Sequence, residues 1–304
     1  MVLIRIRKFR LSNNADISAN VSPRQSANHP RKFDTSHIHG LKKHLDYHDR
    51  VGTRLLRAFR VALVARLAPS HASSSGLSGD AIRGSNVPGF TTRILTVRVG
   101  GHAYKLRVLS DTQQFADPDG HADRLGISSA QWSLFGQLWP SGKLLAKAMD
   151  QADIQGKRVL EIGCGIGLAS LVLQRRGAEV VATDMHPLAE SFLAYNAALN
   201  GLPAVHYRQL SWAAPLPTLG DFDMIIASDV LYERGQAELL ADVITRHARP
   251  QSKLVFTDPG RGHSGGFTRL LAKQGFDVTE SHCAMDDEDD AARGRLLEYV
   301  RSAG

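Results

Sequence analysis

Three glycines at alternate positions, preceded by an acidic residue, form the stretch of this chain whose residue types most clearly indicate chemistry. They are Gly163, Gly165 and Gly167, and Glu161 stands just before them. Glycine has no Cβ, so the backbone can turn sharply there and approach a ligand closely. A second acid, Asp184, follows about twenty residues after the first glycine, where a carboxylate can hold the hydroxyls of a ribose. The spacing predicts a site for a nucleotide-type cofactor.

The glycine spacing distinguishes this site from a dinucleotide site. A dinucleotide fingerprint reads Gly-x-Gly-x-x-Gly and places a pyrophosphate over a helix N-terminus. Here the third glycine comes one residue too early, and no Tyr-x-x-x-Lys pair of an NAD dehydrogenase occurs. The carboxylate of Glu161 disfavours a pyrophosphate and favours a cationic ligand. S-adenosyl-L-methionine (SAM) carries a sulfonium, an ammonium and a ribose but no phosphate, and it is the cofactor that we predict.

Alternating strands and helices are predicted to position these residues. The apolar run that ends at Ile162 is the first core strand. Further strands are predicted at Glu179–Thr183, Ala204–Gln209, Phe222–Ser228, Lys253–Thr257, Phe276–Ser281 and Leu296–Val300, and helices at Lys143–Met149, Leu168–Arg176, Pro187–Asn200, Gln236–Ala248 and Gly266–Gln274. Repeating βα units of this kind predict an α/β fold with a Rossmann-like, doubly wound sheet of seven strands. The last strand is expected to be antiparallel, because a loop without a helix leads into it.

Three more stretches lie where a sheet of this kind binds its ligands. They are Leu138-Trp139-Pro140-Ser141-Gly142 before the first core helix, Leu210-Ser211-Trp212 after the third strand, and Asp229-Val230-Leu231-Tyr232 after the fourth. Together with the glycine stretch and Asp184, they make the chain from Gln131 onwards resemble the class I (seven-β-strand) SAM-dependent methyltransferases. Within that class it resembles methyltransferase family 16, which includes protein lysine methyltransferases.

The resemblance implies a cofactor role for a set of residues. Glu161 and Gly163 are expected to face the methionine part of SAM, Asp184 the ribose and Trp212 the adenine. Ser211 departs from the family pattern, since many relatives have an acid there that faces the adenine amine. The full implied set comprises Glu161, Gly163, Cys164, Gly165, Gly167, Asp184, Met185, Ser211, Trp212 and Asp229, with Cys164 as a small buried residue and not a nucleophile.

The same resemblance implies that Asp229, Tyr232 and Trp139 form the catalytic, acceptor side of the site. Asp-x-x-Tyr after the fourth strand is the family's signature for a lysine substrate. A carboxylate beside an ammonium favours the charged form of an amine. We therefore interpret Asp229 as an anchor that orients the amine, while Tyr232 and Trp139 enclose a dry channel.

The chain divides into three predicted parts. Residues 1–86 form a basic leader, disordered or partly helical, whose purpose is left open. Residues 87–130 form a β-hairpin and a loop lid, since alternating apolar residues from Thr91 to Leu109 surround Gly100-Gly101. Residues 131–304 form the SAM-dependent methyltransferase domain. We expect a cytoplasmic protein, or a mitochondrial one if the leader is a transit peptide.

Charge and composition limit the partners. The net charge is +7, but residues 1–80 hold 14 Lys and Arg against 5 Asp and Glu, and the rest hold 23 against 25. The predicted domain is thus nearly neutral, and the high pI does not indicate nucleic-acid binding. No apolar run reaches the roughly 18 residues that span a membrane, and the 2 cysteines provide no metal-site spacing. A protein substrate is expected, no metal is expected, and the oligomeric state is left open.

Protein-lysine methylation has several alternatives. Enzymes that methylate bases commonly carry Asn/Asp-Pro-Pro-Tyr/Phe after the fourth strand, and this chain lacks the prolines. A small-molecule N-methyltransferase stays open, because the same aspartate could hold any amine. A SAM-binding module without catalysis is disfavoured, because Glu161, Asp184 and Asp229 are all present. The acidic run Asp286-Asp287-Glu288-Asp289-Asp290 suggests a basic peptide as the target.

Overall fold

The computed structural model describes residues 7–8, 89–213, 219–233, 235–284 and 293–301. Its strands are β1 (Arg7–Lys8), β2 (Thr92–Val99), β3 (His102–Leu109), β4 (Arg158–Ile162), β5 (Glu179–Asp184), β6 (His206–Gln209), β7 (Phe222–Ser228), β8 (Ala248–Asp258), β9 (Phe276–Ala284) and β10 (Arg293–Arg301). Its helices are α1 (His121–Arg124), α2 (Ser129–Trp132), α3 (Pro140–Gln151), α4 (Leu168–Arg175), α5 (Ala189–Leu199), α6 (Gln236–His247) and α7 (Ser264–Lys273). The predicted leader helix and the acidic run 286–290 lie outside the described residues.

One mixed sheet carries the domain, with the strand order β1-β9-β10-β8-β7-β4-β5-β6. The four pairs from β8 through β7, β4 and β5 to β6 are parallel. β10 runs antiparallel between β8 and β9, as the loop without a helix predicted. The predicted seven-stranded, doubly wound sheet is confirmed, and the two-residue β1 adds to its edge beside β9. The order reverses between β4 and β7, so their carboxyl ends form the crevice where ligands bind in such sheets.

The central strands are buried on both faces of the sheet. Val159 of β4 packs into one apolar cluster, and its neighbours Leu160 and Ile162 pack into the cluster on the other face. Successive side chains of a strand point to opposite faces, so a continuous apolar run fits a strand that is covered by helices on both sides. Among the described helices, none combines the length and apolar character needed to cross a bilayer.

The predicted β-hairpin is confirmed as β2 and β3. Two asparagines, Asn196 of α5 and Asn200 directly after that helix, hold its free edge. Asn200 Oδ1 accepts from the Lys105 amide at 2.9 Å, and its Nδ2 donates to the Lys105 carbonyl at 2.8 Å. Asn196 Oδ1 accepts from the Arg107 amide at 2.6 Å, and its Nδ2 donates to the Ile166 carbonyl at 3.0 Å. These side chains take the place of a neighbouring strand and fix the hairpin next to the glycine turn.

The predicted start of the helix after β5 was wrong. The helix begins at Ala189, so Pro187 precedes it instead of forming its first turn. Side chains determine this geometry, because Asp184 Oδ1 accepts from the His186 amide at 2.8 Å and His186 Nδ1 accepts from the Leu188 amide at 3.2 Å. Side-chain acceptors compete in this way with helical hydrogen bonds, and they delay the helix.

The predicted start of the strand after α6 was also wrong. β8 begins at Ala248, directly after the helix, and not at Lys253. Pro250, which lacks an amide donor, lies inside this strand. The pairing of β8 with β7 shifts register between Phe222 and Met224, and an irregularity of this kind accommodates a proline.

Candidate active site

The glycine turn joins β4 to α4 at the carboxyl edge of the sheet. Gly163 and Gly165 have φ angles of 66° and 53°, in the left-handed region that side chains rarely adopt. A Cβ on Gly165 would lie 2.8 Å from the carbonyl oxygen of Phe135, and one on Gly163 would lie 2.9 Å from a methyl group of Val230. The glycines therefore let two neighbouring segments approach the turn closely.

Gly167, which is predicted to line the approach to the cofactor, lies at the start of α4. It is the N-cap of α4, with a φ of 82°, and it does not line the cavity described below. A Cβ at this position would collide with the side chain of Leu193 on α5. The third glycine therefore permits α4 and α5 to pack together, and its place beside the cofactor stays a prediction.

Glu161 is buried at the end of β4, with only 3% of its surface exposed. Its Oε2 accepts from the backbone amide of Ser170 at 2.9 Å and from the Ser170 hydroxyl. The carboxylate thus satisfies an amide in the first turn of α4, where a negative charge is favourable. Burial nevertheless raises the pKa of Glu161 to about 7. A cation beside it would restore the charged form.

Asp184 lies at the end of the neighbouring strand β5 and has both oxygens engaged. Oδ2 accepts from the Gly165 amide and Oδ1 from the His186 amide, each at 2.8 Å. Burial raises the pKa of this carboxyl group. A carboxylate has about four acceptor positions, so the oxygens keep capacity for ribose hydroxyls.

A cavity of about 650 Å³ brings most of the predicted site residues together. Its volume is in the range of roughly 300–1,000 Å³ that small-molecule sites occupy. Burial raises the pKa of the Cys164 thiol, which fits a small wall residue and not a thiolate nucleophile. The predicted residues in its wall are Glu161, Gly163, Cys164, Gly165, Asp184, Met185, Ser211, Trp212, Asp229, Tyr232 and Trp139.

Trp139 enters the cavity wall from the N-terminus of α3. This helix begins at Pro140, and not at Lys143 as predicted, with Trp139 as its N-cap. Proline favours the first helical position because its φ suits the helix and its missing amide has no partner to lose there. The indole Nε1 donates to the Leu134 carbonyl at 2.8 Å, which fixes the plane of the ring.

Asp229 directly follows β7 and has a left-handed backbone, with a φ of 51°. Its amide donates to the Thr257 carbonyl at 2.8 Å. Its two carboxylate oxygens accept from Nε and Nη2 of Arg261, at 2.8 and 2.9 Å. The side chain of Asp229 is 12% exposed and that of Arg261 is 46% exposed. The predicted acceptor residue therefore has a charged partner that the sequence analysis did not foresee.

Tyr232 closes the cavity on the same side and is 37% exposed. Its backbone amide and that of Glu233 both donate to Oε1 of Gln236, at 2.8 Å. The Gln131 side chain on α2 donates to the carboxylate of Glu233. The loop after β7 is thereby tied both to α6 and to the segment that covers the glycine turn.

His186 and Phe135 are site residues that the sequence analysis missed. Their rings stack with centroids 3.7 Å apart, and both line the cavity. Burial lowers the pKa of His186 to about 3, so the imidazole is neutral at physiological pH. His186 follows the acidic end of β5 closely in the sequence, and that position is the signal that could have identified it.

The described wall suits a cationic ligand better than a phosphate. Arg261 is its one arginine or lysine, and Asp229 already binds its guanidinium. The acids of the wall are Glu161, Asp184, Asp229 and Glu233. A pyrophosphate would meet repulsion here, whereas the sulfonium and ammonium of SAM would be attracted. The residues present therefore fit the predicted cofactor.

Comparison with known proteins gives matches over the same region. Residues 125–265 match a family described as "Lysine methyltransferase". The electron transfer flavoprotein beta subunit lysine methyltransferase of Xenopus laevis is 31% identical over 134 residues, which are 43% of this chain and 52% of that protein. Protein N-lysine methyltransferase METTL21A of Danio rerio is 34% identical over 116 residues, 36% of this chain and 50% of that protein. Histone-arginine methyltransferase METTL23 of Homo sapiens is 28% identical over 172 residues, 52% of this chain and 90% of that protein.

The extent of these matches differs between the relatives. The chain spans about half the length of the first two, at 52% and 50%. The span matched by the family contains the cavity residues from Leu125 to Arg261. The span therefore includes the positions of Asp229 and Arg261.

Proposed function

We propose that this chain, whose residues 125–265 match the lysine methyltransferase family, transfers a methyl group from SAM to a lysine side chain of a protein. One observation carries the proposal. Asp229 and Tyr232 line the same cavity as the glycine turn, next to the point where the strand order reverses. An acceptor amine held by Asp229 would therefore lie beside the cofactor.

The cofactor half of the site binds and orients. SAM, when bound, supplies an electrophilic methyl group on a positively charged sulfur. Glu161 and Asp184 provide the negative charge that attracts the cation, and Asp184 keeps acceptor capacity for the ribose. The glycine turn allows close approach, because Gly163 and Gly165 have no side chain between the backbone and the cavity.

The acceptor half of the site must receive an amine in its neutral form. Deprotonation of a lysine with a pKa near 10.4 costs about 4–5 kcal/mol at pH 7. A neutral amine can donate to the carboxylate of Asp229 and keep its lone pair directed at the methyl group. Methyl transfer is a displacement in line, so holding the two partners in register supplies much of the rate enhancement.

Trp139 and Tyr232 exclude water from the region between the two halves. The Trp139 indole is fixed by its hydrogen bond to Leu134, and Tyr232 by the bonds of its loop to Gln236. Burial raises the pKa of the Tyr232 hydroxyl group, so it is neutral at physiological pH. The rings thus contribute apolar walls and shape, and the charge comes from Asp229.

The test is to incubate the purified protein with tritiated SAM and an extract of its source cells. One incubation uses the whole extract, and a second uses the same extract after its small molecules have been removed. Labelled protein is hydrolysed, and methyl-lysine is separated from methyl-arginine. An Asp229→Asn protein serves as the impaired control. We expect label in protein as methyl-lysine, and about a hundredfold slower labelling with the control.

Each other outcome contradicts the proposal in a specific way. Methyl-arginine would indicate an acceptor of the kind named for the human relative of 28% identity. Label in RNA, or only in the small-molecule fraction, would exclude a protein substrate. Binding of SAM without any transfer would indicate a binding module.

A further inference from the structure

The pair formed by Asp229 and Arg261 is built into the carboxyl edge of the sheet. Arg261 lies in the loop that follows β8, between Gly260 and Gly262 with φ angles of 95° and 89°. Asp258 Oδ1 accepts from the amides of Gly260 and Arg261, at 2.8 and 3.4 Å. This tight turn directs the Arg261 side chain back towards β7. Its guanidinium then binds both oxygens of Asp229.

The residue that shapes this turn is itself anchored. Asp258 Oδ2 accepts from Nη2 of Arg295 at 2.6 Å, and Arg295 stands opposite Asp258 in the pairing of β10 with β8. Nη1 of Arg295 lies 3.6 Å from the carboxylate of Glu280 on β9. Charges therefore alternate along the edge from Asp229 to Glu280. The arrangement holds Arg261 in position through three strands.

A free carboxylate at Asp229 would hinder methylation of a lysine. It would stabilise the ammonium form of the acceptor, which has no lone pair to attack the methyl group. The guanidinium of Arg261 compensates that charge at close range, because it binds both oxygens of a carboxylate that is only 12% exposed. Asp229 still has acceptor positions left, since each carboxylate oxygen can accept more than one hydrogen bond.

The other ionisable groups around the pair do not replace this effect. Asp258 and Tyr232 face Arg261, and Asp229 and Asp258 raise the pKa of its guanidinium. The remaining described ionisable groups in the cavity wall are Glu161, Cys164, Asp184, His186 and Glu233. His186 is neutral, and the carboxyl groups among them would favour an ammonium. Arg261 is the cation of the described cavity wall that disfavours the ammonium form of the acceptor.

We propose that Arg261 is a positioning residue that keeps the bound acceptor lysine in its neutral form by compensating the charge of Asp229. The displaced proton leaves to solvent before the amine is enclosed. This inference rests on the proposed function and explains how a carboxylate can orient an amine without holding it in the protonated state.

The test compares the wild type with Arg261→Gln, Arg261→Lys and a matched control, Arg249→Gln. Arg249 also pairs with an aspartate, Asp223, at 2.6 Å and is 46% exposed, but it lies outside the cavity wall. The acceptor is the protein labelled in the extract experiment. Turnover at saturating acceptor, the acceptor KM and the Kd of SAM are measured from pH 7 to pH 10.5.

In Arg261→Gln, uncompensated Asp229 should bind the ammonium form more tightly. At pH 7.5 we expect kcat and the acceptor KM to fall together by about tenfold, which corresponds to about one pH unit in the pKa of the bound amine. The pH at which kcat is half-maximal should also rise by about one pH unit, because kcat reports the ionisation of groups in the enzyme–substrate complex. Arg261→Lys should stay near the wild type, and Arg249→Gln should match it. The Kd of SAM should be unchanged.

A loss of kcat in Arg261→Gln at every pH, with KM unchanged or raised, would overturn the inference and indicate a structural role only. An unchanged kcat profile would overturn it as well. If the wild type forms no methyl-lysine, the proposed function fails first, and the role of Arg261 fails with it. That result appears before any variant is measured, so the two failures are distinguishable.

Discussion

Asp184 holds the glycine turn directly, because its Oδ2 accepts from the Gly165 amide at 2.8 Å. Its Oδ1 accepts from the His186 amide at the same distance. The residue that we expect to bind the ribose therefore also shapes the backbone on which the cofactor lies. Cofactor binding and the local stability of the turn should respond to the same substitution.

Replacing Asp184 should weaken both properties in a graded way. Asp184→Ala removes two hydrogen bonds to a charged acceptor, so we expect about 2–5 kcal/mol lower stability and a loss of SAM affinity of at least about a hundredfold. Asp184→Asn keeps one acceptor oxygen, so its stability and its SAM affinity should lie between those of the wild type and those of Asp184→Ala. Urea unfolding and calorimetric titration measure the two effects. Normal SAM affinity in Asp184→Ala would exclude this residue from the cofactor site.

Glu161 should make the stability of the protein without cofactor depend on pH. Its pKa rises from 4.5 to about 7 in the fold because of burial, so the folded state binds the proton more tightly than the unfolded state. The stability that this gives is complete below pH 4.5 and is lost as the pH rises towards 7. The loss is on the order of 3 kcal/mol. Urea unfolding at intervals from pH 4.5 to 7.5 measures this loss. The stability of the wild type should fall relative to that of Glu161→Gln as the pH rises.

Ser170 provides the matched control for the titration of Glu161. It donates two hydrogen bonds to the carboxylate, and its hydroxyl bond favours the charged form. Ser170→Ala should therefore raise the pKa of Glu161 further and extend the pH-dependent loss of stability to higher pH. The idea would be wrong if Glu161→Gln and the wild type followed parallel curves.

The fold was predictable because most of it depends on local periodicity. Strands such as Phe222–Ser228 matched their predicted bounds, and the family resemblance is confirmed over residues 125–265. The errors occurred where side chains or register override local rules. His186 and Asp184 delay α5 through hydrogen bonds, and an irregular register lets β8 include Pro250.

Site residues were predictable from the sequence where the pattern next to a single strand end identifies them. Glycine spacing and an acid at a strand end identify Glu161 and Asp184, and both line the cavity. The pair of Asp229 and Arg261 joins residues 32 positions apart. It depends on β7 lying next to β8 and on the turn that Asp258 shapes. No spacing within the sequence encodes that contact, so the partner of Asp229 was missed.

A methyl group added at Gly165 should disrupt the site more than one added elsewhere at a similar backbone angle. In Gly165→Ala the Cβ would meet the Phe135 carbonyl oxygen at 2.8 Å, whereas Gly177, with a φ of 78°, has nothing within 4 Å. Both variants carry the cost of about 1 kcal/mol for a left-handed alanine. Only Gly165→Ala should also weaken SAM binding, by at least about tenfold. Equal unfolding free energies and equal SAM affinities in the two variants would show that the contact has no effect.

Asp229→Asn should separate cofactor binding from methyl transfer. Asparagine tolerates the left-handed backbone of this residue, so the substitution removes the charge without adding strain. The amine then loses its anchor, and Arg261 loses its partner. We expect SAM affinity within about threefold of the wild type and transfer slowed by about a hundredfold, the cost of a misplaced reactant.

Asp223→Asn is the matched control, because Asp223 binds Arg249 at 2.6 Å outside the cavity wall. It should transfer methyl groups at the normal rate. If Asp229→Asn does so too in a radiolabel assay, the acceptor does not bind at Asp229.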